Sequence, residues 1–531
     1  MYRRFELIKS HPELLKRMQR GIERESLRIN PQGRLALTVH PAKLGAALTH
    51  PSITTDYSES LLELVTGTHH SVPELFAELQ RVHVFVTQNM QSDESMWMHS
   101  MPCKLPAEPQ IPIAWYGTSN SGMLKHVYRR GLAERYGKKM QCIAGIHYNF
   151  SLPSEVWEVL NFKGANTQEK QSTGYFALLR NFKRYSWMLM YLFGASPAMN
   201  RDFIEQNSDT LKELNELTSY MPYATSLRMS DFGYKDEAQD SLNGSFNHLD
   251  DYVRMMYKAV TKPWPPYQAI GTHRDGEWIQ LNTNILQIEN EFYSTIRPKR
   301  TTARGERPNT ALLQKGVQYI EVRCLDIDPF EATGVSPVTC YFMDTFLLWC
   351  VLKDSHNFDK HGNCNICNQN FAKVVTEGRH PDLQLQKADG SGAISLQDWG
   401  LELLQDMRPV AALLDQALET NAHTEALEQQ AQKFHDVRQT PSARFVEQLQ
   451  TTELGFNELV LRNSLQQSQQ LRLSELDEDV QQQFIQAAKD SIDAQKQLEL
   501  NDDISFEEYL KRFLEELIDP DKAQNAASDD D

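Results

Sequence analysis

Two glutamates at alternate positions, Glu23 and Glu25, lie in a stretch whose residues are typical of a β-strand, residues 21–29. Alternate side chains of a strand lie on the same face, so the two carboxylates share a face that continues into aliphatic residues. Two like charges on a half-buried face are costly unless a cation lies between them. We expect a metal ion, an arginine or a cationic substrate there. The alternative is an exposed edge strand whose acids pair with neighbouring arginines.

Similar polar faces recur on further predicted strands, around residues 58–66, 144–152 and 319–327. Together with Asp56, which precedes the first of these strands, they give one candidate metal-binding set: Glu23, Glu25, Asp56, Glu63, His147 and Glu321. Carboxylates with one imidazole suit Mg²⁺, or Mn²⁺ as the alternative, better than structural zinc. The set is larger than one ion needs, so we expect two or three ions. Several such ions beside basic residues are typical of phosphoryl transfer from ATP.

The nucleotide site itself has little sequence signal, because neither a P-loop nor a GxGxxG motif after a strand is present. A compact basic segment follows one predicted strand and contains Arg297, Lys299 and Arg300. These residues are candidates for binding phosphate. The alternative is a solvated basic loop.

Composition excludes several classes of function. The 531 residues are 40% hydrophobic and 24% charged, with a formal net charge of −17. That balance argues against nucleic acid or an anionic membrane as the main partner. The N-terminus has no apolar segment typical of a signal peptide, and seven scattered cysteines favour a reducing compartment. We therefore expect a cytoplasmic protein without a disulfide framework.

The predicted strands alternate polar and apolar residues and are separated by helices, which favours an α+β fold with an antiparallel sheet. One of the predicted strands is long and spans residues 278–291. Residues 1–354 are expected to form the catalytic α+β domain and residues 355–400 a connecting segment. Residues 401–518 are rich in Gln, Glu and Leu and predict a helical C-terminal region, followed by a disordered acidic tail, residues 519–531.

Nine stretches in a fixed order between about residues 10 and 350 carry a resemblance to a known family. They are GIERESLR, TTDYSESLLELVT, SMPC, YGTSNSG, GIHYNFSLP, YLFGASP, YATSLRMSDFGY, LQIENEFYSTIRPKR and YIEVRCLDIDPF. The set resembles glutamate–cysteine ligase (γ-glutamylcysteine synthetase) of the proteobacterial type. The last third of the chain resembles this family only in being helical and rich in Gln and Glu.

The resemblance implies a glutamine-synthetase-like antiparallel sheet curved into a funnel and flanked by helices. The family's metal positions fall on the six residues already selected by strand face. Its cysteine pocket falls on Tyr57, Tyr128, Leu132, Gln141, Tyr234 and Tyr293. Tyr57 departs from the family's pattern in one detail, since some members have Phe at this position. Arg228 and Arg323 fall on motif arginines and are expected to bind substrate carboxylate or phosphate during catalysis.

The activity implied is ATP-dependent ligation of L-glutamate to L-cysteine through a γ-glutamyl phosphate, the first step of glutathione synthesis. We expect a monomer. Three alternatives remain on the residues alone: a ligase for another amine, a metal-dependent hydrolase, and a binding protein without activity. The aromatic pocket also suits 2-aminobutyrate. ATP dependence separates the ligase from the hydrolase. The number of buried acids argues against the binding protein, because so many buried acids would be costly without metals.

A second group of metal-type residues lies outside the resemblance: His356, His361, Cys364 and Cys367. Their types and spacing are typical of zinc ligands. The hypothesis is a structural zinc that holds this loop. The favoured alternative is a surface loop with two free thiols, because a single CxxC is a weak signal.

Overall fold

The computed structural model describes residues 2–204, 210–233, 237–240, 242, 246–359, 364–387 and 390–523. The strands in these residues are β1 (Gln19–Ile29), β2 (Ile53–Thr55), β3 (Leu61–Val65), β4 (Ser95–Met96), β5 (Ile146–Ser151), β6 (Ala198–Asn200), β7 (Lys212–Asn215), β8 (Thr218–Tyr220), β9 (His273–Arg274), β10 (Glu277–Trp278), β11 (Ile296–Lys299), β12 (Tyr319–Leu325), β13 (Gln384–Gln386) and β14 (Ala393–Ser395).

The α-helices of the same residues connect and cover these strands. They are α1 (Tyr2–Lys9), α2 (Val72–Asn89), α3 (Asn120–Tyr136), α4 (Ser154–Val159), α5 (Thr167–Tyr185), α6 (Trp187–Phe193), α7 (Glu237–Asp240), α8 (Leu249–Thr261), α9 (Pro265–Ile270), α10 (Pro308–Lys315), α11 (Pro337–Leu352), α12 (Asn365–Glu377), α13 (Leu396–Leu418), α14 (Ala422–His435), α15 (Pro441–Thr452), α16 (Phe456–Leu473), α17 (Glu478–Asn501) and α18 (Phe506–Glu515).

A seven-stranded antiparallel sheet organises the molecule, with strand order β11-β12-β5-β1-β3-β2 and β4 paired to β1. The α+β class with an antiparallel sheet is therefore confirmed. The central strand β1 is the longest, and it pairs with β5 on one side and β3 on the other. Residues far apart in the chain are thereby placed side by side in its middle.

One face of the sheet is covered by apolar helices. Every residue of α6 is buried, and α11 is buried from Phe342 to its end. Helix α5 contacts β11 and helix α6 contacts β12, while α11 packs against α5. Burial of such side chains stabilises the fold by about 1.5–3 kcal/mol each. The other face carries the polar residues of the strands, which explains the alternation seen in the sequence.

The long strand expected over residues 278–291 is wrong. Only its first residue is in a strand, β10, and a short 3₁₀ helix covers Glu289–Glu291. Side chains replace the strand partner within the loop: the Leu281 amide donates to Gln287 Oε1 (3.0 Å), and the Gln287 amide donates to Glu291 Oε2 (2.7 Å). Local polar side chains can satisfy backbone groups without a sheet, and the apolar alternation does not reveal this.

The C-terminal third is helical from α13 to α18, as its composition predicts. Helix α18 returns to the N-terminal part of the chain and packs on α3, where Leu510 contacts the cluster of Val127 and Leu281. The boundaries between the expected domains stay a prediction, as does disorder of the tail. Residues 524–531 of that tail lie outside the described residues.

The CxxC pair departs from the sequence-based expectation. Cys364 and Cys367 form a disulfide at the start of α12, with their Cα atoms 5.2 Å apart. The expectation of two free thiols is wrong, because this spacing at a helix N-terminus brings two cysteines within bridging distance. While that bond is present neither sulfur can serve as a thiolate ligand for zinc. His361 lies outside the described residues, and the other five cysteines are buried and free.

No helix in the described part of the chain combines the length and the apolar character needed to cross a bilayer.

Candidate active site

Cross-strand pairing assembles the acidic residues at the middle of the sheet. Glu23 of β1 stands opposite His147 of β5, and Glu25 stands opposite Glu63 of β3. Glu321 of β12 pairs with Asn149 of β5, two positions from His147. Because side chains of directly paired residues lie close together on one face, the register brings these groups into contact.

His147 is the centre of this arrangement. Its Nδ1 lies 3.0 Å from Glu23 Oε2 and 3.7 Å from Glu321 Oε1, and its Nε2 lies 3.6 Å from Glu25 Oε1. Two sets have ligand atoms within 4.8 Å of one another, and both contain His147: Glu23, His147 and Glu321, and Glu25, Glu63 and His147. Asp56 belongs to neither set but lines the adjacent cavity. We call the six residues the acid cluster.

Electrostatics within the acid cluster are strongly perturbed. Burial, together with the charges of Glu23, Asp56 and Glu25, raises the pKa of Glu63 well above its ordinary value. Burial also raises the pKa of Glu25. The pKa of Glu321 is instead lowered well below its ordinary value, because Lys299, Arg323 and His147 outweigh the effect of burial. Such opposed shifts among neighbouring carboxyls are typical of functional sites.

The residues present fit divalent cations that take oxygen ligands. One buried carboxylate oxygen, Glu321 Oε2, has no hydrogen-bond donor among the described residues, although Lys299 Nζ lies 3.5 Å away. Four buried or half-buried glutamates lie around one imidazole, and the charges of neighbouring carboxylates help to raise the pKa of Glu63 and that of Glu25. Carboxylate-rich sets of this kind are the ligands that Mg²⁺ and Mn²⁺ prefer.

Two arginines flank the acid cluster. Arg323 Nη1 donates to Glu321 Oε1 (3.0 Å) and lies 3.4 Å from His147 Nδ1. Arg228 Nη2 donates to the carbonyl oxygen of Arg323 (2.8 Å), which holds the second guanidinium against β12. Gly145 permits this approach, since a Cβ built there would overlap the Arg228 guanidinium. Both cations are therefore held beside the carboxylates.

A central cavity of about 460 Å³ opens beside the acid cluster. It has one charged end, with Glu25, Asp56 and His147, and a wall of aromatic and apolar side chains. Five of the six expected cysteine-pocket residues line it: Tyr57, Tyr128, Leu132, Gln141 and Tyr293. The sixth, Tyr234, lies outside the described residues. The structure thus brings together the metal-type residues and the five described residues of the expected pocket.

Tyr57 is the pocket residue with an unusual environment. Its side chain is 1% exposed, and its hydroxyl has no hydrogen-bond partner among the described residues. Burial raises the pKa of this phenol above its ordinary range. A buried hydroxyl without a partner costs about 1–3 kcal/mol. The group that compensates for this cost is therefore not a side chain of the described structure.

The basic segment lies at the edge of the cavity. Arg297 lines it and donates to the carbonyl oxygen of Asn290 (3.0 Å), and Arg300 Nη1 donates to Gly316 O (3.1 Å). Lys299 Nζ is 3.5 Å from Glu321. All three also border a smaller adjoining cavity of about 310 Å³. Their role as phosphate ligands stays a prediction, and both guanidinium groups already bind backbone carbonyls.

Sequence patterns did not indicate several residues that line the cavity, among them Arg129, Lys183, Asp231 and Asn290. Arg129 had a signal in its helical spacing. It precedes Leu132 by three positions, and Leu132 precedes Tyr136 by four, so the three residues lie along one face of the helix. Lys183 had a weaker signal, as a cation within an apolar-rich helix. Asp231 lies in a turn and Asn290 in the short 3₁₀ helix Glu289–Glu291, so the periodicity of a strand or a long helix marks neither.

Comparisons with known proteins agree with this geometry. The family model described as glutamate–cysteine ligase matches residues 5–374. A glutamate–cysteine ligase of Bordetella petrii is 53% identical over 518 residues, covering 97% of this chain and 98% of that protein. One of Pseudomonas putida is 49% identical over 519 residues, with 97% and 98% covered.

A solved structure extends the likeness to three dimensions. The glutamate–cysteine ligase of Francisella tularensis, crystallised in complex with AMP, has a TM-score of 0.88 to this chain at 40% identity. The alignment covers 94% of this chain and 97% of that one. On the matched motifs, the shared fold and the near-complete coverage, the chain belongs to the glutamate–cysteine ligase family.

Proposed function

We propose that this protein uses ATP to join the γ-carboxylate of L-glutamate to the amine of L-cysteine, which is the general reaction of its family. The observation that carries the proposal is the pair of ligand sets sharing His147 beside a cavity with an aromatic wall. Such a site combines carboxylates that can bind the ions of a metal–nucleotide complex with a pocket for a small side chain.

Residues of the acid cluster would hold two or three Mg²⁺ or Mn²⁺ ions, divided between the two sets that share His147. Bound there, the ions supply neutralisation of the phosphate and carboxylate charges that must approach one another. The number of ions follows from the size of the cluster, since three side chains serve each set. If either set is lost, we expect the ions held by the other set to be too few to neutralise the phosphates of ATP.

The first chemical step forms a bond between a γ-carboxylate oxygen of glutamate and the γ-phosphorus of ATP, and the bond to ADP breaks. In the second step the amine nitrogen of cysteine bonds to the acyl carbon, and phosphate leaves. Arg228 and Arg323 would hold charge on the transferring group, and their hydrogen bonds beside the acid cluster support this role. The proton released from the amine is expected to reach a carboxylate of the acid cluster, Asp56 or Glu63.

The acceptor is assigned to the aromatic wall. Tyr57, Tyr128, Leu132 and Tyr293 form a surface that suits a small polarisable thiol, and Gln141 adds a polar group. Tyr234 belongs to the expected set on resemblance alone. The same wall suits 2-aminobutyrate, so acceptor choice is the part of the proposal that needs direct measurement.

Three further features are proposed: a sheet curved into a glutamine-synthetase-like funnel, which the resemblance implies, a monomeric state, and a cytoplasmic location, which the N-terminus and the scattered cysteines favour. The antiparallel sheet with its polar face toward the cavity supports the first.

The test is release of phosphate from ATP with glutamate alone, with glutamate and cysteine, and with glutamate and 2-aminobutyrate. Each mixture is run with Mg²⁺, with Mn²⁺ and with excess chelator. We expect release that requires metal and glutamate and is strongly increased by cysteine. A larger increase with another amine would overturn the acceptor assignment, and absence of ATP turnover in every mixture would overturn the ligase itself.

A further inference from the structure

Lys183 lines the central cavity but belongs to neither the acid cluster nor the expected substrate pocket. It lies in the last turn of α5, the helix that packs against β11 on the covered side of the sheet. Its side chain lines the cavity, as do those of Phe246 and Tyr293.

The ammonium of Lys183 has no hydrogen-bond or ion-pair partner among the described residues, and the ring of Phe246 lies 5.5 Å from its Nζ. Other cations of the cavity wall differ in this respect. Arg228 donates to Arg323 O, Arg297 donates to Asn290 O and Arg323 donates to Glu321. Burial lowers the pKa of Lys183 to about 8, with only the Cys324 thiol acting in the opposite direction. A cation in such a place is costly without an anion beside it.

The missing partner is an anion that the described residues do not supply. Only the Cys324 thiol opposes the effect of burial on the pKa of Lys183, and no carboxylate of the acid cluster does so. Both amino acid substrates of the proposed reaction carry an α-carboxylate that does not react, and this group must lie away from the atoms that do. An ammonium in a desolvated cavity is well suited to bind it.

We propose that Lys183 binds the α-carboxylate of an amino acid substrate in the central cavity. The inference rests on the proposed ligase function and adds to it a binding residue for one of the two amino acids. The carboxylate can come from glutamate or from the acceptor, and the two sources are separated by substrates that lack it. Glutamate without its α-carboxylate is 4-aminobutyrate, and cysteine without its carboxylate is cysteamine.

The experiment compares wild type, Lys183→Met and Lys183→Arg in steady-state ligation, with KM and kcat measured for glutamate, cysteine and ATP. In Lys183→Met we expect KM for one amino acid to rise at least about tenfold, with KM for ATP unchanged, since binding and not chemistry is affected. In Lys183→Arg most of the binding should return, because the positive charge is kept. For the affected amino acid, KM of its decarboxylated analogue should be the same in wild type and in Lys183→Met.

Lys433→Met is the matched control. Lys433 is also buried, and burial lowers its pKa to about 8, but it donates to Leu192 O away from the cavity. We expect this variant to change thermal stability without changing any KM. Thermal unfolding of all variants separates loss of folding from loss of binding.

Three results would overturn the inference. The first is KM values for both amino acids that stay within about twofold in a folded Lys183→Met protein. The second is a decarboxylated analogue whose KM rises as much as that of its parent. The third is a fall in kcat alone with loss of one limb of the pH profile, which would indicate a general base instead. Calorimetric measurement of glutamate and cysteine binding to the same variants shows, independently of turnover, whether Lys183 contributes to the affinity for either amino acid. Absence of ligation by the wild type would thus count against the proposed function and leave the binding result readable.

Discussion

At the scale of single residues, Glu23 shows how one carboxylate serves two neighbours. Its Oε2 lies 3.0 Å from His147 Nδ1, and its Oε1 accepts from Asn149 Nδ2 (2.8 Å). The hydrogen bond and the charge of His147 lower the pKa of Glu23 although burial opposes this. The group is thus ionised at neutral pH and placed to bind a cation.

Glu23→Gln is expected to abolish ligation while the protein stays folded, because the amide keeps the shape of the side chain but supplies no charge. Several kcal/mol of transition-state stabilisation depend on metal binding, so activity should fall about 10³-fold or more. Phosphate release at saturating Mg²⁺ measures this, and thermal unfolding checks the fold. Glu155→Gln, at an exposed ion pair with Arg17, is the control and should retain activity. Near-normal turnover of Glu23→Gln would refute the metal assignment.

Tyr57→Phe removes a hydroxyl that has no partner in the described structure. We expect the free energy of unfolding without substrates to stay the same or rise, because no hydrogen bond to a described residue is lost. Discrimination between cysteine and 2-aminobutyrate should fall, since in the wild type the hydroxyl is available to bind the substrate thiol and in the variant it is absent. Chemical denaturation and the ratio of kcat/KM values for the two acceptors measure these effects.

Tyr148→Phe is the contrasting variant, because the Tyr148 hydroxyl donates to Asp344 Oδ1 (2.8 Å) in the core. Its loss should lower the free energy of unfolding by about 1.5–3 kcal/mol. A destabilisation of similar size in Tyr57→Phe would show that the Tyr57 hydroxyl has a structural partner and does not depend on the substrate for one.

At the scale of elements, α3 connects the C-terminal region to the site. It carries Tyr128 and Leu132 of the cavity wall, and its first residue, Asn120, donates through Nδ2 to Ile504 O (3.0 Å) and through its amide to Asp502. Helix α18 then packs along α3 through Leu510, which is 3% exposed. The end of the chain therefore positions one wall of the cavity.

Leu510→Ala should lower the free energy of unfolding by about 2–5 kcal/mol, since it leaves a void between α18 and α3. Because α3 carries pocket residues, we also expect a higher KM for cysteine with little change in KM for ATP. Leu500→Ala, at a side chain that is 76% exposed, should stay within about 0.5 kcal/mol of wild type. Equal KM values in Leu510→Ala and wild type would show that α18 supports stability only.

At the scale of the whole molecule, a buried network joins the sheet to the C-terminal helices. Arg20 of β1 forms an ion pair with Asp344 of α11 (3.0 Å), and His423 of α14 lies between Asp344 (3.7 Å) and Asp415 (2.9 Å). Burial alone would lower the pKa of His423, but hydrogen bonds and charges of the two aspartates outweigh it and raise the pKa. The pKa of Asp344 and that of Asp415 are lowered although burial opposes this, the first by Arg20 and His423 and the second by its hydrogen bonds to His423 and Thr424.

The sign of the resulting pH dependence follows from linkage. A histidine whose pKa is raised on folding contributes stability fully below its unfolded value, near pH 6.5, and loses it as the pH rises through the folded value. The aspartates contribute above about pH 4 and lose their share as the pH falls further. The destabilisation caused by His423→Gln should thus be largest between about pH 4 and 6.5 and shrink at higher pH. Denaturation measured from pH 4 to 9 tests this, and a difference that grows with pH would contradict it.

Local pattern alone determined the identity of the acid cluster. Alternation along a strand is a property of neighbouring residues, so Glu23 and Glu25 were assigned to one face without knowledge of the fold. The nine stretches of family resemblance likewise depend on residue identity and order. The same local reasoning was wrong for residues 278–291, where side chains of Gln287 and Glu291 satisfy the backbone in place of a strand partner.

Only the tertiary structure decided which residues meet. The pairing of Glu23 with His147 and of Glu25 with Glu63 is a matter of strand register between distant segments. The placement of α18 on α3 and the access of Lys183 to the cavity depend on packing of the same long-range kind. Register and packing are set by contacts between residues that are far apart in the chain. Sequence periodicity describes each element by itself, and for that reason it identifies the groups of a site but not their arrangement.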